Sequence, residues 1–581
     1  MRRRLASLLG RPAAAWGLLA CAAGSVALAC LGSDGALAFM KRPAMLAALA
    51  AGAALCALAC LRSRRPCVWL FHLGFALVIG GWAYDALAHR LGRVPEDRML
   101  WLAEPMDGVA RAQVFPESVL HDVARWHDER RLRDPSWTPD RADFTNLLAQ
   151  IAADNRQDGR LEGDLALALD DFSIETWPGT DAVKAYTSRI SFSDGSPRAT
   201  VAVNHPVRRA GWWIFQNAWT RALDADFLWD VVRDGPDARA PGRLPPAYRI
   251  PMYHFMMRAK PCAGSPRAYW SGYGEHYDNL VGMCRARYGK PPPQTRPWCL
   301  AGLLCVKDVG LPFAFAGGLM LVLGALGLAV ARLRAPAARG GSGGRPPTAS
   351  ALTRLFFSCA CTAYELRPCR RLATAARVLY ALLFAGTLAM LVHRGLATGH
   401  APMQNMYEFL MCTAALIPAL TFVSRRLDGE DTLLVDAALT LLVLVPVAFT
   451  MDGSARKLMP ALQSPFFVPH VGAYVLGYVL LVRAALGAGR RLAGAGFFLL
   501  TLGLVLGAVW GKVCWGHWWQ FDPKEMWSAA TWFVYAAYFH LRPGLSARAE
   551  RAFLAAGAAM VVLTLTWINL SRIFTGMHSY A

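Results

Sequence analysis

A series of apolar runs constrains the fold more than any other feature of this sequence. Each run has the length that a helix needs to cross the hydrocarbon core of a bilayer, which is about 30 Å thick. Hydrophobic residues make up 55% of the chain and charged residues only 17%, a composition typical of membrane proteins. We therefore predict a polytopic all-α membrane protein with about eleven transmembrane helices. The runs are residues 13–31, 43–61, 67–87, 309–333, 372–392, 406–423, 432–450, 468–482, 493–510, 526–540 and 552–568.

Basic residues predict how the chain is oriented in the membrane. The net charge is +21, and most of the basic excess falls in alternate short loops between the apolar runs. Cytoplasmic loops of membrane proteins are rich in Lys and Arg, so we expect the basic loops on the inner side of the membrane. The N-terminus is then expected on the inner side as well, and the C-terminus on the outer side. This distribution accounts for the charge without a nucleic-acid partner. The basic clusters lie at residues 62–65, 332–371, 425–426, 483–491 and 542–551.

A long polar insert separates the third apolar run from the fourth. Within residues 88–308, segments with alternating or β-branched residues are broken by Gly, Pro and Asp, which predicts strands. These segments are residues 165–174, 184–192, 198–204 and 212–216. We therefore expect a β-containing extracytoplasmic domain inserted between spans three and four. Its cysteines, Cys262, Cys284, Cys299 and Cys305, could pair there, and the chain has no Cys-x-x-Cys-His segment of its own.

A segment rich in glycine and proline divides the chain into two halves. Residues 335–350 contain a Gly-Gly-Ser-Gly-Gly stretch flanked by prolines, which is typical of a flexible linker and is expected in the cytoplasm. Before it we expect N-terminal transmembrane helices over residues 1–87, the insert over 88–308 and a fourth transmembrane helix over 309–334. After it, residues 351–581 form a second transmembrane domain. This arrangement suggests a fusion of two proteins.

The densest aromatic cluster lies between two of the C-terminal runs. Residues 515–525 read Trp-Gly-His-Trp-Trp-Gln-Phe-Asp-Pro-Lys-Glu. This density favours a platform for a flat apolar ligand at the membrane surface, for which haem is the obvious candidate, with interfacial belt aromatics as the alternative. Asp522 faces the ligand, caps the next helix together with Pro523 and Glu525, or does both. The platform candidates are Trp515, Gly516, Trp518, Trp519 and Phe521.

Histidines in and beside the apolar runs form two candidate pairs. At 1.5 Å per residue, His72 lies roughly 8 Å from the cytoplasmic edge of its run and His540 about 21 Å from the outer edge of its own, so their depths match. His470 begins a run on the outer side, and His578 follows the last run on that side. Ionisable residues within a membrane are usually functional, and neutral imidazole is a common haem ligand. Each histidine can instead be an ordinary bundle-facing residue with a hydrogen-bond partner.

The tryptophan-rich segment resembles that of the CcsA/ResC family of cytochrome c biogenesis proteins. The family motif is W-G-x-x-W-x-W-D, and the matching residues are Trp515, Gly516, Trp519 and Asp522. Phe521 replaces the last tryptophan of the motif, so a ring is kept but an indole N–H donor is lost. The flanking Pro-Lys-Glu also matches, and the segment is therefore the most specific signal in the chain.

Shorter motifs extend the resemblance to nearly the whole chain. His400 lies in Gly-His-Ala-Pro at residues 399–402, which is similar to a second motif of the family, and residues 576–580 around His578 are similar to a third. The N-terminal half resembles the partner family, CcsB/ResB, most clearly in its Val-Asn-His-Pro and Gly-Trp-Trp-Ile-Phe-Gln stretches. The two halves together resemble the fused CcsBA cytochrome c synthases.

This resemblance implies a holocytochrome c synthase, a cytochrome c haem lyase. Such an enzyme carries haem b to the outer face and attaches it through thioether bonds to the cysteines of a Cys-x-x-Cys-His segment of apocytochrome c. The haem is a substrate, and bis-histidine ligation of its iron is implied, by His72 and His540 on the inner side and by His470 and His578 on the outer side. His400 would contact a haem propionate or organise its loop. No catalytic acid or base is assigned.

The resemblance also implies a location and partners. The location is a bacterial cytoplasmic membrane, with the N-terminus cytoplasmic and the C-terminus and the tryptophan motif periplasmic. The partners are apocytochrome c, membrane lipid and thiol-reducing proteins that keep the substrate cysteines reduced. A haem exporter or chaperone without ligation activity and a b-type membrane electron carrier are the alternatives. Such a carrier usually has repeated histidine pairs on the same helices, whereas the candidates here lie on separate helices.

Overall fold

A computed structural model describes most of the chain. Because His578, Cys284 and the predicted linker lie outside the described residues, the expectations for them stay predictions. The described residues are 11–60, 63–106, 108–154, 159–161, 165–234, 260–262, 265–269, 281–282, 285–286, 289, 295–334, 370–428, 432–487 and 492–570.

A group of helices precedes the insert. The longest of them begins at Pro66, because proline lacks only an N–H that the first helical turn leaves unbonded in any case. The short second helix has a Gly-Ser-Asp-Gly start, which is the composition of a turn, so the sequence gives no sign of it. The helices are α1 (Arg11–Ala29), α2 (Gly32–Met40), α3 (Pro43–Cys60) and α4 (Pro66–Arg90).

The insert folds into a β-containing domain, here called the sheet domain. Its strands are β1 (Arg98–Ala103), β2 (Val114–Pro116), β3 (Leu167–Thr176), β4 (Val183–Phe192), β5 (Ala199–Ala202), β6 (Val207–Arg209), β7 (Trp212–Asp224), β8 (Lys260–Pro261), β9 (Thr295–Arg296) and β10 (Cys299–Val306). Its helices are α5 (Val119–Arg133), α6 (Arg141–Asp154), α7 (Ala225–Asp234) and α8 (Pro266–Tyr269).

Two antiparallel sheets share the main core of the sheet domain. One has the strand order β1-β10-β7-β2, with β6 paired to β7, and the other has the order β3-β4-β5, while β8 pairs only with β9 among the described strands. Leu100, Phe172 and Trp212 from different strands are fully buried in this core. The predicted strands correspond to β3, β4, β5 and β7. β10 escapes prediction because all of its residues are buried, so it lacks the alternation of a half-exposed strand.

The remaining helices complete a membrane domain to which both halves contribute. α9 packs along α4 and against α14, and α15 packs against α1 and α16. Side chains from both halves, among them Phe71 and Trp532, are buried in one core. The helices are α9 (Leu311–Arg334), α10 (Arg370–Thr398), α11 (Met406–Asp428), α12 (Leu433–Phe449), α13 (Phe467–Ala485), α14 (Leu492–Trp515), α15 (Pro523–Leu541) and α16 (Ala547–Leu570).

These helices confirm the predicted fold class. A helix occupies each predicted apolar run, and within the described ranges eight helices are long and apolar enough to cross a membrane on that basis alone. α12 is apolar but shorter, and α15 and α16 lie outside the set of eight. The chain is therefore a polytopic, mainly helical membrane protein with a β-containing domain between its third and fourth predicted spans.

A buried ion pair anchors one end of α13. Arg483 binds Asp436 of α12, with Nε 3.0 Å from Oδ1 and Nη2 2.9 Å from Oδ2, and both side chains are fully buried. The hydroxyls of Thr421 and Thr432 donate to the same carboxylate. Moving α13 away from α12 would separate the two partners and leave uncompensated buried charges. The network therefore fixes the position of α13 relative to its neighbours.

Candidate functional site

Two histidines from opposite halves of the chain face each other in the helix bundle. The ring centroids of His72 in α4 and His540 in α15 lie 6.0 Å apart, and the ring planes are inclined by 76°. The sequence predicts similar depths for these two side chains, and the structure brings their rings together. We call them the facing pair.

Hydrogen bonds to the helix backbone orient both rings of the facing pair. Nδ1 of His72 lies 2.9 Å from the carbonyl oxygen of Val68, and Nδ1 of His540 lies 2.8 Å from that of Ala536. A carbonyl oxygen can only accept, so Nδ1 donates its hydrogen in each ring and Nε2 carries the lone pair. Metal-binding histidines commonly have this arrangement, in which a carbonyl or carboxylate holds the second nitrogen.

An aromatic ring contacts the facing pair, and a guanidinium group lies over the ring that neighbours His540 in the sequence. Phe71 contacts the ring of His72 edge-on, with centroids 5.8 Å apart. Arg332 of α9 lies 3.9 Å above the ring of Phe539, the residue next to the second histidine. Arg542, two residues after His540, pairs with Glu550, with Nε 3.1 Å from Oε1. Such an environment suits a flat apolar ligand with an acidic edge.

His470 lies in the first turn of α13 and is held against α14. Its Nδ1 is 2.8 Å from the carbonyl oxygen of Gly503, so this nitrogen also donates to the backbone. Its ring packs edge-on against Trp510, with centroids 5.6 Å apart. Gly507 leaves room for the imidazole, because a Cβ there would lie 2.6 Å from its Cε1 atom. His578, the predicted partner, lies outside the described residues.

The aromatic rings of the tryptophan motif divide among separate environments. Trp515 stacks on Trp510, with centroids 6.1 Å apart, and is therefore one ring away from His470. Trp518 instead donates its indole N–H to Asp308, which follows β10, at 3.1 Å. Both motif tryptophans are half-buried, so part of each ring surface can still contact a ligand.

Trp519 and Phe521 lie in one apolar cluster with residues of the N-terminal helices, among them Ala29 and Trp82. Trp519 donates its indole N–H to the sulfur of Met526 at 3.5 Å, and Phe521 is buried with its ring centroid 5.8 Å from that of Trp82 in α4. Phe521 has a φ of 57°, which is an uncommon backbone conformation for a bulky side chain. The departure from the family motif therefore lies at a packed contact between the two halves.

Gly516 allows the sheet domain to approach the tryptophan motif. Its φ is 88°, and a Cβ there would lie 3.0 Å from side-chain atoms of Phe215 and Leu304. Lys512 strengthens the contact, because Nζ lies 2.9 Å from a carboxylate oxygen of Asp308 and donates to the carbonyl oxygen of Gly516 at 2.8 Å. The motif of the second half is thus docked on the ResB-like Trp-Trp-Ile-Phe stretch of the first.

Asp522 caps α15. Its carboxylate accepts a hydrogen bond from the backbone N–H of Lys524 at 2.8 Å, and Glu525 accepts one from the N–H of Asp522 at 3.3 Å. These reciprocal contacts of Asp522 and Glu525 form a capping box, and Pro523 occupies the first turn of the helix. The structure confirms the capping interpretation, and a ligand contact by Asp522 stays a prediction.

His400 is enclosed by two backbone carbonyls. Nδ1 lies 2.9 Å from the oxygen of Ala401, and Nε2 lies 3.1 Å from that of Arg456. A neutral imidazole can donate from only one nitrogen, so both contacts are hydrogen bonds only when the ring is protonated. Asn405 caps α11 by accepting the N–H of Glu408 at 2.9 Å. This geometry fits the loop-organising alternative for His400, and a haem contact stays a prediction.

His517, inside the tryptophan motif, lies beside an acid of the N-terminal half. Its Nδ1 is 3.9 Å from a carboxylate oxygen of Asp97. Burial and the positive charges of Lys512 and Lys41 lower the pKa of His517 to about 4, so the ring is neutral at pH 7. Burial raises the pKa of Asp97. At neutral pH the contact is therefore polar and not a full ion pair.

The cysteines of the sheet domain are free thiols where the structure describes them. Cys262, Cys299 and Cys305 form no disulfide with one another. Burial raises the pKa of the Cys305 thiol to about 12, and it also raises the pKa values of Cys262 and Cys299. These thiols therefore stay protonated, and any pairing of Cys284 lies outside the described residues.

Several residues that shape the site escape sequence prediction. Asp308, Gly507 and Arg332 act through contacts with segments that are distant along the chain. Lys512 gives the clearest signal, because an ionisable residue beside an apolar run needs a polar partner. Its partner comes from the other half, so sequence reasoning cannot name it.

Comparisons with known proteins agree with this two-part architecture. The model of the ResB-like family matches residues 61–245, and that of the Cytochrome C assembly protein family matches residues 488–578. The cytochrome c biogenesis protein CcsA of Prochlorococcus marinus (strain MIT 9303) is 31% identical over 33% of this chain and 79% of its own length. CcsA of Synechococcus sp. (strain RCC307) is 30% identical over 35% of this chain and 85% of its own length. The chain therefore belongs to the CcsA family of cytochrome c biogenesis proteins, with a ResB-like N-terminal half fused ahead of its CcsA-like part.

Proposed function

We propose that the chain takes up haem b on the cytoplasmic side, carries it across the membrane and attaches it covalently to apocytochrome c. The facing pair is the observation that supports this most directly. Two imidazoles whose Nδ1 atoms are bound to their own helices present Nε2 lone pairs within one bundle. Two histidines in this relation can ligate the iron of a haem from opposite faces.

The surroundings of the facing pair suit the rest of the haem molecule. Phe71 and its neighbours give an apolar wall for the macrocycle. Haem also has two carboxylates, and guanidinium groups bind carboxylates through paired hydrogen bonds. Arg332 would receive this acidic edge at the end of the bundle where the basic loops lie, whereas Arg542 is already paired with Glu550 at 3.1 Å.

The basic loops give the transport a direction. By the positive-inside rule, the facing pair would lie near the cytoplasmic face of a bacterial cytoplasmic membrane. His470, the tryptophan motif and the C-terminus would then lie on the periplasmic side. Haem would bind first between His72 and His540 and afterwards at His470, with His578 as the second iron ligand. The sheet domain would guide the apocytochrome.

Attachment joins each substrate cysteine to one vinyl group of the haem. The thiol sulfur bonds to one vinyl carbon, the thiol proton ends on the other, and the double bond becomes a single bond, so no co-reactant is consumed. The thiols must be reduced, which calls for thiol-reducing partner proteins. Holding thiol and vinyl group in reacting geometry would supply much of the acceleration. The half-buried tryptophans of the motif and His470 would position the haem for this step.

Co-production with an apocytochrome c tests the proposal. In cells that lack their own maturation system, the full chain should yield cytochrome with covalently bound haem, detected by haem staining after denaturing electrophoresis. Haem delivered outside but bound only non-covalently would identify an exporter or chaperone. Haem that stays in the chain and cycles between oxidation states, without a covalent product, would identify an electron carrier.

A further inference from the structure

A side-chain amide of the sheet domain donates hydrogen bonds to the loop before α13. Nδ2 of Asn204, in the turn between β5 and β6, lies 2.9 Å from the carbonyl oxygen of Pro460 and 3.2 Å from those of Ala461 and Gln463. Carbonyl oxygens that converge on one point repel one another unless a donor lies between them. Asn204 supplies its two N–H groups there, and it is only 9% exposed, so water does not readily replace it.

The backbone of the turn that contains Asn204 sets the direction of this amide. Asn204 has a φ of 65°, in the left-handed region that asparagine tolerates better than most residues. The N–H of His205 donates to the carbonyl oxygen of Ala202 at 2.9 Å and closes the turn. Because the backbone of the turn is fixed, the direction in which the Asn204 side chain points towards the loop is fixed as well.

Two further contacts join the sheet domain to the same loop. Trp177 donates its indole N–H to the carbonyl oxygen of Leu458 at 3.1 Å. In the opposite direction, the side-chain amide of Gln463 donates to the carbonyl oxygen of Lys184 at 2.8 Å. The loop is thus fixed to the sheet domain at two points besides the Asn204 side chain.

The loop before α13 also contacts Trp510, which packs against His470. Trp510 donates its indole N–H to the carbonyl oxygen of Ala461 at 3.1 Å, and its ring packs against that of His470. Val203, next to Asn204, packs in a cluster that includes Phe467 and Trp510. A displacement of the loop would therefore shift both the start of α13 and the ring against which the imidazole rests.

We propose that Asn204 is a positioning residue for His470. It belongs to the ResB-like half, and it sets the loop that places the histidine of the CcsA-like half. The structural claim stands on the contacts alone, and its consequence for haem attachment rests on the proposed function. The sheet domain then serves as part of the outer haem site besides receiving the apocytochrome.

Hydrogen exchange on the full chain tests the structural claim. Asn204→Gly removes the amide but keeps a residue that accepts the left-handed backbone, and Asn204→Asp keeps the shape but replaces the N–H donors with oxygen. In both variants the backbone amides of Leu462, Gln463 and Ser464 should exchange roughly tenfold faster. Ala210→Gly is the matched control, because Ala210 has a φ of 47° in an exposed turn of the same domain, and its rates should equal those of the parent. Unchanged exchange in both Asn204 variants would overturn the proposal.

A functional readout separates positioning from a general loss of structure. Asn204→Gly should lower the yield of covalent cytochrome c roughly tenfold or more while the haem bound by the facing pair stays within about twofold of the parent. Loss of both together, or of neither, would refute a positioning role. If the parent chain gave no covalent product at all, the proposed function would fail, and the exchange rates would still decide whether Asn204 holds the loop.

Discussion

His72 and His540 sit on two long helices, whereas His470 begins a helix and follows a loop that another domain holds. Each ring of the facing pair is oriented by its own helix, through a carbonyl four residues back. The ring of His470 is oriented by a carbonyl of α14, and Asn204 of the sheet domain holds the loop before it. One site depends on helix packing, and the other depends on how the two halves fit together.

This difference suggests different tasks for the two sites. A pair fixed by core helices keeps its geometry whatever is bound outside, which suits uptake and storage of haem. Contacts between a loop and a domain open at lower free energy than core helices do. A histidine placed by the sheet domain can therefore respond when a protein substrate binds that domain, which suits the transfer of haem.

The largest expected effect is the loss of the facing pair. His72→Ala or His540→Ala should lower the haem bound per chain by about tenfold to a hundredfold, because one imidazole alone cannot hold the iron from both sides. Haem content of the purified full chain, measured from its reduced absorption spectrum, checks this. His121→Ala is the control, because His121 is exposed on α5. Parental haem content in both facing-pair variants would remove the basis of the inner site.

The second prediction concerns a substitution that disturbs His470 and leaves the facing pair intact. Gly507→Ala puts a methyl group 2.6 Å from Cε1 of His470, so the ring must move. We expect the yield of covalent cytochrome c to fall about tenfold, while haem in the facing pair is kept. Gly472→Ala is the matched control, since Gly472 is two residues from His470 and a Cβ there meets no atom within 4 Å. Equal yields from the two variants would show that the position of His470 does not matter.

Local features of both sites follow from the sequence. The apolar runs locate the helices, because bilayer thickness fixes how long an apolar run must be. Helix rise converts sequence position into depth, which is why the sequence alone pairs His72 with His540. Asp522 and Asn405 are recognisable as caps because a capping side chain bonds to N–H groups only a few residues away. Each of these inferences uses a short stretch of chain and a fixed geometry.

Contacts between the halves do not follow from the sequence. The tryptophan motif looks like one platform, but Trp518 turns to Asp308 and Phe521 turns to Trp82, and both partners lie in the other half. Asn204 lies in the Val-Asn-His-Pro stretch that resembles the ResB family, but this stretch does not indicate what the side chain contacts. Its role depends on three carbonyl groups of a distant loop, which any sequence could supply, so the sequence does not identify the partners of this amide.

The third prediction concerns the boundary between the two halves. Phe521→Trp restores the family motif but puts a larger ring into a buried position against Trp82 and α1, where Phe521 is 5% exposed. Overpacking of this kind lowers the free energy of unfolding by about 1–2 kcal/mol. Thermal unfolding of the full chain in detergent checks this, with Phe315→Trp on the exposed face of α9 as the control. A more stable Phe521→Trp variant would mean that the contact has spare room.

The smallest expected effect is a dependence of stability on pH that arises from His517 in the tryptophan motif. The pKa of His517 is lowered from 6.5 to about 4 in the folded chain, so between these values the unfolded chain binds the proton more readily. This contribution to stability is complete above pH 6.5 and is lost as the pH falls towards 4. Solvent screening of the partly exposed ring limits it to about 1 kcal/mol.

His517→Gln should therefore flatten the fall of the unfolding midpoint between pH 7 and pH 5. Asp97, whose pKa is raised, has the opposite dependence on pH and is present in both proteins. Because His517 lies in the motif docked on the sheet domain, acidification of the parent should also speed hydrogen exchange in that motif before it affects α4 or α15. If exchange at the facing pair rose first, the contrast between a helix-held and a domain-held site would be wrong.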